Sequence, residues 1–333
     1  MVESGTHDSE ADLGLPGSRA GNPESRGHTD RGVTISRRQW WQAFAVQGVF
    51  WRRFVDWAVC KVPGVFYRPL IWAATGLFFF IAAPARENVA RNLRAVLKGS
   101  SRLINYLRVL RVFANFGWSL ADSAGHGLRK KRFQYQLDGE DCLRQLAAAK
   151  GAIVLTAHMG NYDLGAALFA QKFEREMRMV RAPEPDARAA QHVDLALQQS
   201  GAGAVKVGYN TDGISLALDL LNALRNGEII SIQGDRVVGE VSRAPVKFFS
   251  REVFLPNGPF VLALASGAPI YPLFIVRAGS QKYKIIAREP IVCSRSSGAR
   301  DEVIAQAMKR WSVVLEQTVR RYWPQWYAFA PFF

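Results

Sequence analysis

Cysteine is scarce in this chain: three residues in 333, at positions 60, 142 and 293. An odd number at such wide spacing excludes a disulfide framework and a zinc knuckle, and favours buried thiols in a reducing compartment. Histidine is nearly as rare. Of five, His7 and His28 lie near the start, leaving His126, His158 and His192. One His and one Asp lack a third clear ligand, so a metal hydrolase is disfavoured and no metal or cofactor is expected. The opening 34 residues have no long apolar run and are rich in Gly, Ser, Asp and Arg, which reads as a disordered tail rather than a secretory signal. No internal repeat is present.

Acidic side chains are also in deficit, 28 against 43 Lys and Arg, for a formal net charge of +15. The first 35 residues run the other way, with six acids and three bases, so the excess lies further along. Residues 86–132 hold eleven Lys/Arg against two acids. Such a block suits a polyanion: nucleic acid, an anionic bilayer or a phosphorylated substrate. It follows an aromatic belt that includes Trp40, Trp41, Phe44, Phe50, Trp51, Phe54 and Trp57, and a charge-free stretch over 69–85. A spanning helix needs about 20 apolar residues, and Arg68 interrupts the longer window. A surface-embedded helix is therefore expected, with a full span as the alternative.

Two cationic helices follow. Val89, Leu93, Val96 and Leu97 share a face in the first, with Arg86, Arg91, Arg94 and Lys98 largely off it. In the second, Leu103, Leu107, Leu110 and Ala114 recur at helical spacing, flanked by Arg102, Arg108 and Arg111. Either alone reads as an ordinary helix with a solvated basic face. Coming after the aromatic belt, together they favour an anionic membrane surface.

Beyond Gln134 the pattern alternates. Strands are expected over 152–157, 177–181, 204–207, 228–233, 268–277 and 282–287, and helices over 162–172, 186–200, 214–225, 259–266 and 301–322. Alternation with buried-type strands predicts an α/β fold, with a mostly parallel or mixed sheet covered by helices on both sides. His158 stands at the carboxyl end of the first of these strands, just before a helix, where open α/β sheets place ligands. Gly160 permits a tight turn, and Asp163 falls in the first turn of the helix. That carboxylate can fold back to one imidazole nitrogen and leave the other basic. Backbone N–H groups at the helix start can hold a carbonyl oxygen or phosphate. The plainer alternative is a capping Asp163 and a structural His158, since His-x4-Asp often arises by chance.

Several blocks in order carry a resemblance. They are Glu87-Asn-Val-Ala-Arg-Asn-Leu93, Gly151-Ala-Ile-Val-Leu-Thr-Ala with His158 and Asp163, Gly234-Asp235-Arg236, Pro245-Val-Lys-Phe-Phe249, Leu255-Pro-Asn-Gly-Pro-Phe260, Gly267-Ala-Pro-Ile-Tyr-Pro-Leu-Phe and Trp323-Pro-Gln-Trp-Tyr-Ala-Phe. Over roughly residues 40–333 the chain resembles the bacterial lipid A biosynthesis (lauroyl/myristoyl) acyltransferase family, within the lysophospholipid and glycerolipid acyltransferase superfamily. Ser250 departs from the usual Phe-Phe-Gly, and Asp163 replaces the Glu of many lipid A enzymes.

The resemblance implies a glycerolipid acyltransferase-like fold with a membrane-associating helical region over 36–133 and a catalytic domain over 134–333. It implies acyl transfer from acyl carrier protein or coenzyme A to a glycolipid or phospholipid acceptor, at the cytoplasmic face of the bacterial inner membrane. His158 and Asp163 are the catalytic candidates. Arg181 would meet a phosphate or phosphopantetheine, or is a surface arginine. Asp235 and Arg236 would share the cleft, Lys247 would offset substrate charge, Gly258 would be a turn or close-approach glycine, and Asn161 and Gly160 would shape the substrate side or only complete the turn. The rivals are a non-catalytic lipid-binding protein and a basic nucleic-acid-binding protein. No helix-turn-helix, zinc-finger or aromatic RNA-binding signature supports the latter, and no nucleic-acid partner is expected.

Overall fold

The structure, a computed structural model, describes residues 49–333 apart from 100, 163, 166–168, 170–174, 182–204, 210–212 and 239–240. The expected tail, Trp40, Trp41, Phe44, Asp163 and the helix over 186–200 therefore lie outside the described residues. Residues 42–333 form one compact unit.

Among the described residues four α-helices come first: α1 (Val49–Lys61), α2 (Tyr67–Ile81), α3 (Ala83–Val96) and α4 (Arg102–Arg129). In α3, Val89, Leu93 and Val96 turn inward as their spacing predicts, while Arg91, Arg94 and Lys98 are exposed. Val109, Val112 and Phe113 of α4 pack against that face, and the Asn105 amide donates to the Ala90 carbonyl at 2.8 Å, fastening the two helices. Ser101 caps α4, its Oγ accepting from the Ile104 N–H at 3.3 Å. Of the expected stripe, Leu103 and Leu107 face outward, 70% and 59% exposed, whereas Leu110 is half-buried and Ala114 is buried. In α2 only Ile71 and Thr75 are buried. The segment Gly64–Ile81 is long and apolar enough to cross a membrane.

Nine strands follow among the described residues: β1 (Gln134–Asp138), β2 (Ala152–Thr156), β3 (Met177–Arg181), β4 (Val205–Tyr209), β5 (Ile229–Gln233), β6 (Arg243–Phe248), β7 (Arg251–Pro256), β8 (Ile270–Gly279) and β9 (Lys282–Ala287). Seven make one sheet in the order β1-β9-β8-β2-β5-β3-β4. Strands β8, β2, β5, β3 and β4 run parallel; β9 reverses through a hairpin from β8, and β1 runs parallel to β9. The sheet is thus mixed. The α-helices described among and after these strands are α5 (Glu140–Ala148), α6 (Gly213–Arg225), α7 (Gly258–Ser266) and α8 (Arg300–Tyr322).

Both faces of the sheet are covered. Ile153 and Leu155 of β2 enter a cluster with Leu224, Phe260, Trp311 and Leu315. Ala152 and Val154, pointing the other way, join Leu143, Leu146, Phe169 and Met177. This two-sided burial explains why β2 reads as a continuous apolar run.

Strands β6 and β7 form a separate antiparallel hairpin, paired from Arg243↔Pro256 to Phe248↔Arg251. The two-residue loop is Phe249-Ser250, both with positive φ (49° and 64°). That is the backbone Asn-Gly or Gly-Gly would adopt without strain. Replacing Ser250 by Gly should therefore raise unfolding stability by about 1 kcal/mol. A denaturation midpoint equal to or below that of the parent would refute the strain.

Candidate active site

The register of β2 and β5 builds the site. Thr156 lies opposite Gln233 in parallel pairing, so the residues two beyond each strand, His158 and Asp235, emerge side by side at the sheet's carboxyl edge. Gly234 allows this close approach: its N–H donates to the Thr156 carbonyl at 2.8 Å, and a Cβ there would meet Leu155 Cδ1 at 2.6 Å. His158 Nδ1 lies 2.7 Å from Asp235 Oδ1, and the same oxygen accepts the His158 backbone N–H at 3.1 Å. Asp235 Oδ2 accepts from the Trp326 indole at 3.3 Å and from Arg236 at 3.4 Å. The carboxylate is wholly buried, whereas the imidazole is 23% exposed. Among the described residues nothing is hydrogen-bonded to Nε2.

Asp163 lies outside the described residues, so the expected dyad is not seen in that form. The carboxylate on Nδ1 belongs instead to Asp235, which the sequence placed in the same cleft as a substrate contact. The signal was there: each residue follows its strand by two positions, and only the adjacency of the strands was unreadable.

Gly160 has φ of +59°, and a Cβ there would stand 1.7 Å from the Ile275 carbonyl oxygen, so only glycine fits. Its N–H donates to the Gln325 carbonyl at 2.9 Å and its carbonyl accepts from Ser119 Oγ at 3.0 Å. Asn161 is 4% exposed. It donates to the Ser119 carbonyl and to Tyr283 Oη, and accepts from Ser123 Oγ and the Leu164 N–H. The backbone N–H groups of 158–161 all donate within the protein. Gly160 and Asn161 thus hold the turn, the second of the two roles expected of them.

Positive charge reaches the site from elsewhere. Arg181 ends β3, and its charge, with that of Arg236, acts on the His158 ring. Arg236 donates to the Tyr327 carbonyl at 2.9 Å, and its buried Nε has no partner among the described residues. Lys247 is exposed on β6, opposite Glu252 and between the inward-facing Val246 and Phe248. Among the described residues no hydrogen bond or ion pair joins its side chain to the His158–Asp235 pair. Gly258 opens α7 with nothing within 4 Å of a would-be Cβ, so no close approach to protein explains it.

Sequence reasoning missed the support behind the turn. Asp122 of α4, 1% exposed, accepts from Lys131, Arg277 and Tyr283 at 3.1, 3.0 and 2.9 Å, and Tyr283 meets Asn161. One buried acid inside a cationic helix was the available clue, since such a group is retained only where it is paired.

Burial pushes the His158 imidazole below its ordinary value of 6.5; Asp235 opposes this, while Arg236 and Arg181 add to it. Burial pushes the Asp235 carboxyl up, but the adjacent His158 and Arg236 outweigh it and hold the group well below the usual carboxylate range. At neutral pH the pair is a carboxylate holding the Nδ1–H of a neutral ring, with Nε2 basic.

A mixed α/β sheet with a His–Asp pair at the carboxyl ends of adjacent parallel strands defines a scaffold for general-base chemistry on a bound ligand. The chain belongs to the bacterial lipid A biosynthesis acyltransferase family, whose sequence profile matches residues 40–333. A search of curated proteins finds no significant match. Family membership gives an acyltransferase role, with an acyl donor and a lipid acceptor in general terms.

Catalysis through Nε2 needs the neutral ring and is lost as pH falls through the imidazole's own pKa. Because that value is depressed, the acid limb of the rate profile should lie below pH 6.5. The same sign governs stability: His158's contribution is full above its unfolded value and fades as pH falls toward the folded one. A limb centred above 6.5 in acyl-transfer rates would contradict a neutral, desolvated base.

Proposed function

We propose that this protein moves a fatty acyl chain from an acyl thioester, on acyl carrier protein or coenzyme A, to a hydroxyl of a lipid A-type or related glycolipid or phospholipid. The observation that carries the reading is the 2.7 Å contact of His158 Nδ1 with a buried Asp235, in a ring that is 23% exposed and whose Nε2 has no hydrogen-bond partner among the described residues. His158 Nε2 takes the hydroxyl proton as the acceptor oxygen forms a C–O bond to the thioester carbonyl. The C–S bond then breaks, and the proton passes to the departing sulfur. Asp235 fixes the tautomer, and Arg181 and Arg236 offset the phosphate or phosphopantetheine charge. The internal use of the 158–161 amides makes these guanidiniums the better candidates for stabilising the developing oxyanion. Asp163 is proposed as a second carboxylate of the cleft, and Lys247 and Gly258 as outer substrate contacts.

The setting we propose is the cytoplasmic face of the inner membrane, with residues 36–133 as the membrane-associating part and 134–333 as the catalytic part. Exposed Trp57 on α1, Phe66 in the turn before α2, Trp72, Leu77 and Phe80 on α2, and Leu103, Ile104 and Leu107 on α4 support it. An apolar groove between α1, α2, α4 and Phe329, lined by Phe78, Phe113, Phe116 and Gly117, suits an acyl chain. Its α4 wall leads to Ser119, which bonds Gly160.

His158→Ala should lower acyl transfer roughly 10²–10⁴-fold while leaving the melting transition in place, whereas Asp235→Asn should lower both activity and the melting temperature, because the buried donors around it lose their anion. Full activity in the His158 variant would eliminate the base. Mass spectrometry of lipids from cells with and without the gene identifies the acceptor and the chain added.

Reversing charge at Arg91, Arg94 and Lys98 should weaken binding to anionic vesicles, each near-surface cation contributing about 1 kcal/mol. Unchanged partitioning would remove these helices from the membrane contact. Complete release by high salt together with nanomolar nucleic-acid binding would favour the nucleic-acid rival.

A further inference from the structure

The closing segment, residues 323–333, crosses directly over the catalytic turn. The Tyr327 N–H donates to the His158 carbonyl at 2.9 Å, Met159 bridges to Trp326, and the Gly160 N–H donates to Gln325. One side chain anchors the far end: the Asn92 amide donates to the Ala328 and Ala330 carbonyls at 2.9 Å each, and its oxygen accepts from the Phe332 N–H at 3.1 Å. The indole of Trp326 is 1% exposed, packed by Phe248 and Phe332 with ring centroids 6.1 and 5.1 Å away. In that packing its Nε1–H can point only where the ring directs it, at Asp235 Oδ2, 3.3 Å away.

We propose that Trp326 is a positioning residue for the His158–Asp235 pair. Its N–H occupies the carboxylate oxygen that His158 does not use, fixing the plane of the carboxylate and drawing off part of its charge. A carboxylate relieved of one donor is a stronger acceptor for the imidazole N–H and a better partner for imidazolium. Trp326 therefore helps keep His158 neutral as well as aligned. The proposal rests on His158 as the base, but its test reads the imidazole directly and needs no substrate.

With only five histidines, the rings can be resolved by NMR on protein labelled with ¹⁵N-histidine in detergent, and His158→Gln identifies the His158 signals. Trp326→Phe keeps the apolar body and deletes the donor. It should move the His158 titration upward by roughly half a pH unit or more, with the other four histidines unmoved. A cooperatively melting Phe variant with an unshifted His158 titration would overturn the proposal, whereas loss of acyl transfer in the parent with this shift present would count against the functional reading alone. Should the Phe variant fail to fold, the parent's own indole N–H serves. It should be protected from exchange and change its chemical shift on Asp235→Asn. Free exchange, or no response to that substitution, refutes the assignment.

Discussion

Everything at the site depends on one buried carboxylate. Asp235 is withdrawn from water at the end of a parallel strand, where an unpaired charge would cost several kcal/mol. It is tolerated because every direction around it carries a donor: the His158 ring and backbone N–H, the Trp326 indole and Arg236. Each donor is placed by a different part of the chain. His158 comes from the end of β2, Arg236 from the residue after Asp235, and Trp326 from beyond α8. Meeting one carboxylate's needs thus ties the sheet and the closing segment into a single arrangement, and the arrangement presents a basic nitrogen to the cleft.

The helices join this arrangement through α4. Ser119 reaches Gly160 and Tyr327, Ser123 reaches Asn161, and Asp122 gathers Lys131, Arg277 and Tyr283. Polar residues spaced along one face of this helix hold the turn that carries His158. The opposite, N-terminal end of the same helix exposes Leu103 and Leu107. One helix thus joins a surface of exposed leucines and arginines to the turn that carries His158 without any intervening loop.

Much of this was legible in the sequence, and the reasons are specific. Strand β2 was visible because burial on both faces leaves an unbroken apolar run, and His158 followed from its position at the end of that strand. Helix α3 was visible because Val89, Leu93 and Val96 obey the helical period. The β6–β7 hairpin was not read as one, because its loop, Phe249-Ser250, lacks the glycine that normally marks such a turn. The pairing of His158 with Asp235 was hidden because strand order is a long-range property: 77 residues separate the two, and local pattern says only that each follows a strand. For the same reason local pattern pointed to an acid five residues from the histidine, Asp163, which lies outside the described residues. The turn's dependence on Asn161 and Gly160 was half read, since glycine signalled the tight bend but nothing local said that its amide was already taken.

The electrostatics favour a neutral ring over an imidazolium, although a carboxylate at 2.7 Å would ordinarily draw a proton onto histidine. Two effects act against that pull. Burial penalises the charged ring, and the guanidiniums of Arg236 and Arg181 repel it. The same cations are the ones proposed to receive an anionic donor or acceptor group. Positive charge near the proposed base therefore keeps it deprotonated while no anion is bound. An anion that neutralised Arg181 or Arg236 would raise the basicity of His158 once the substrate is in place. The ring can thus remain neutral while the cleft is empty and become a stronger base when a phosphate-bearing partner arrives.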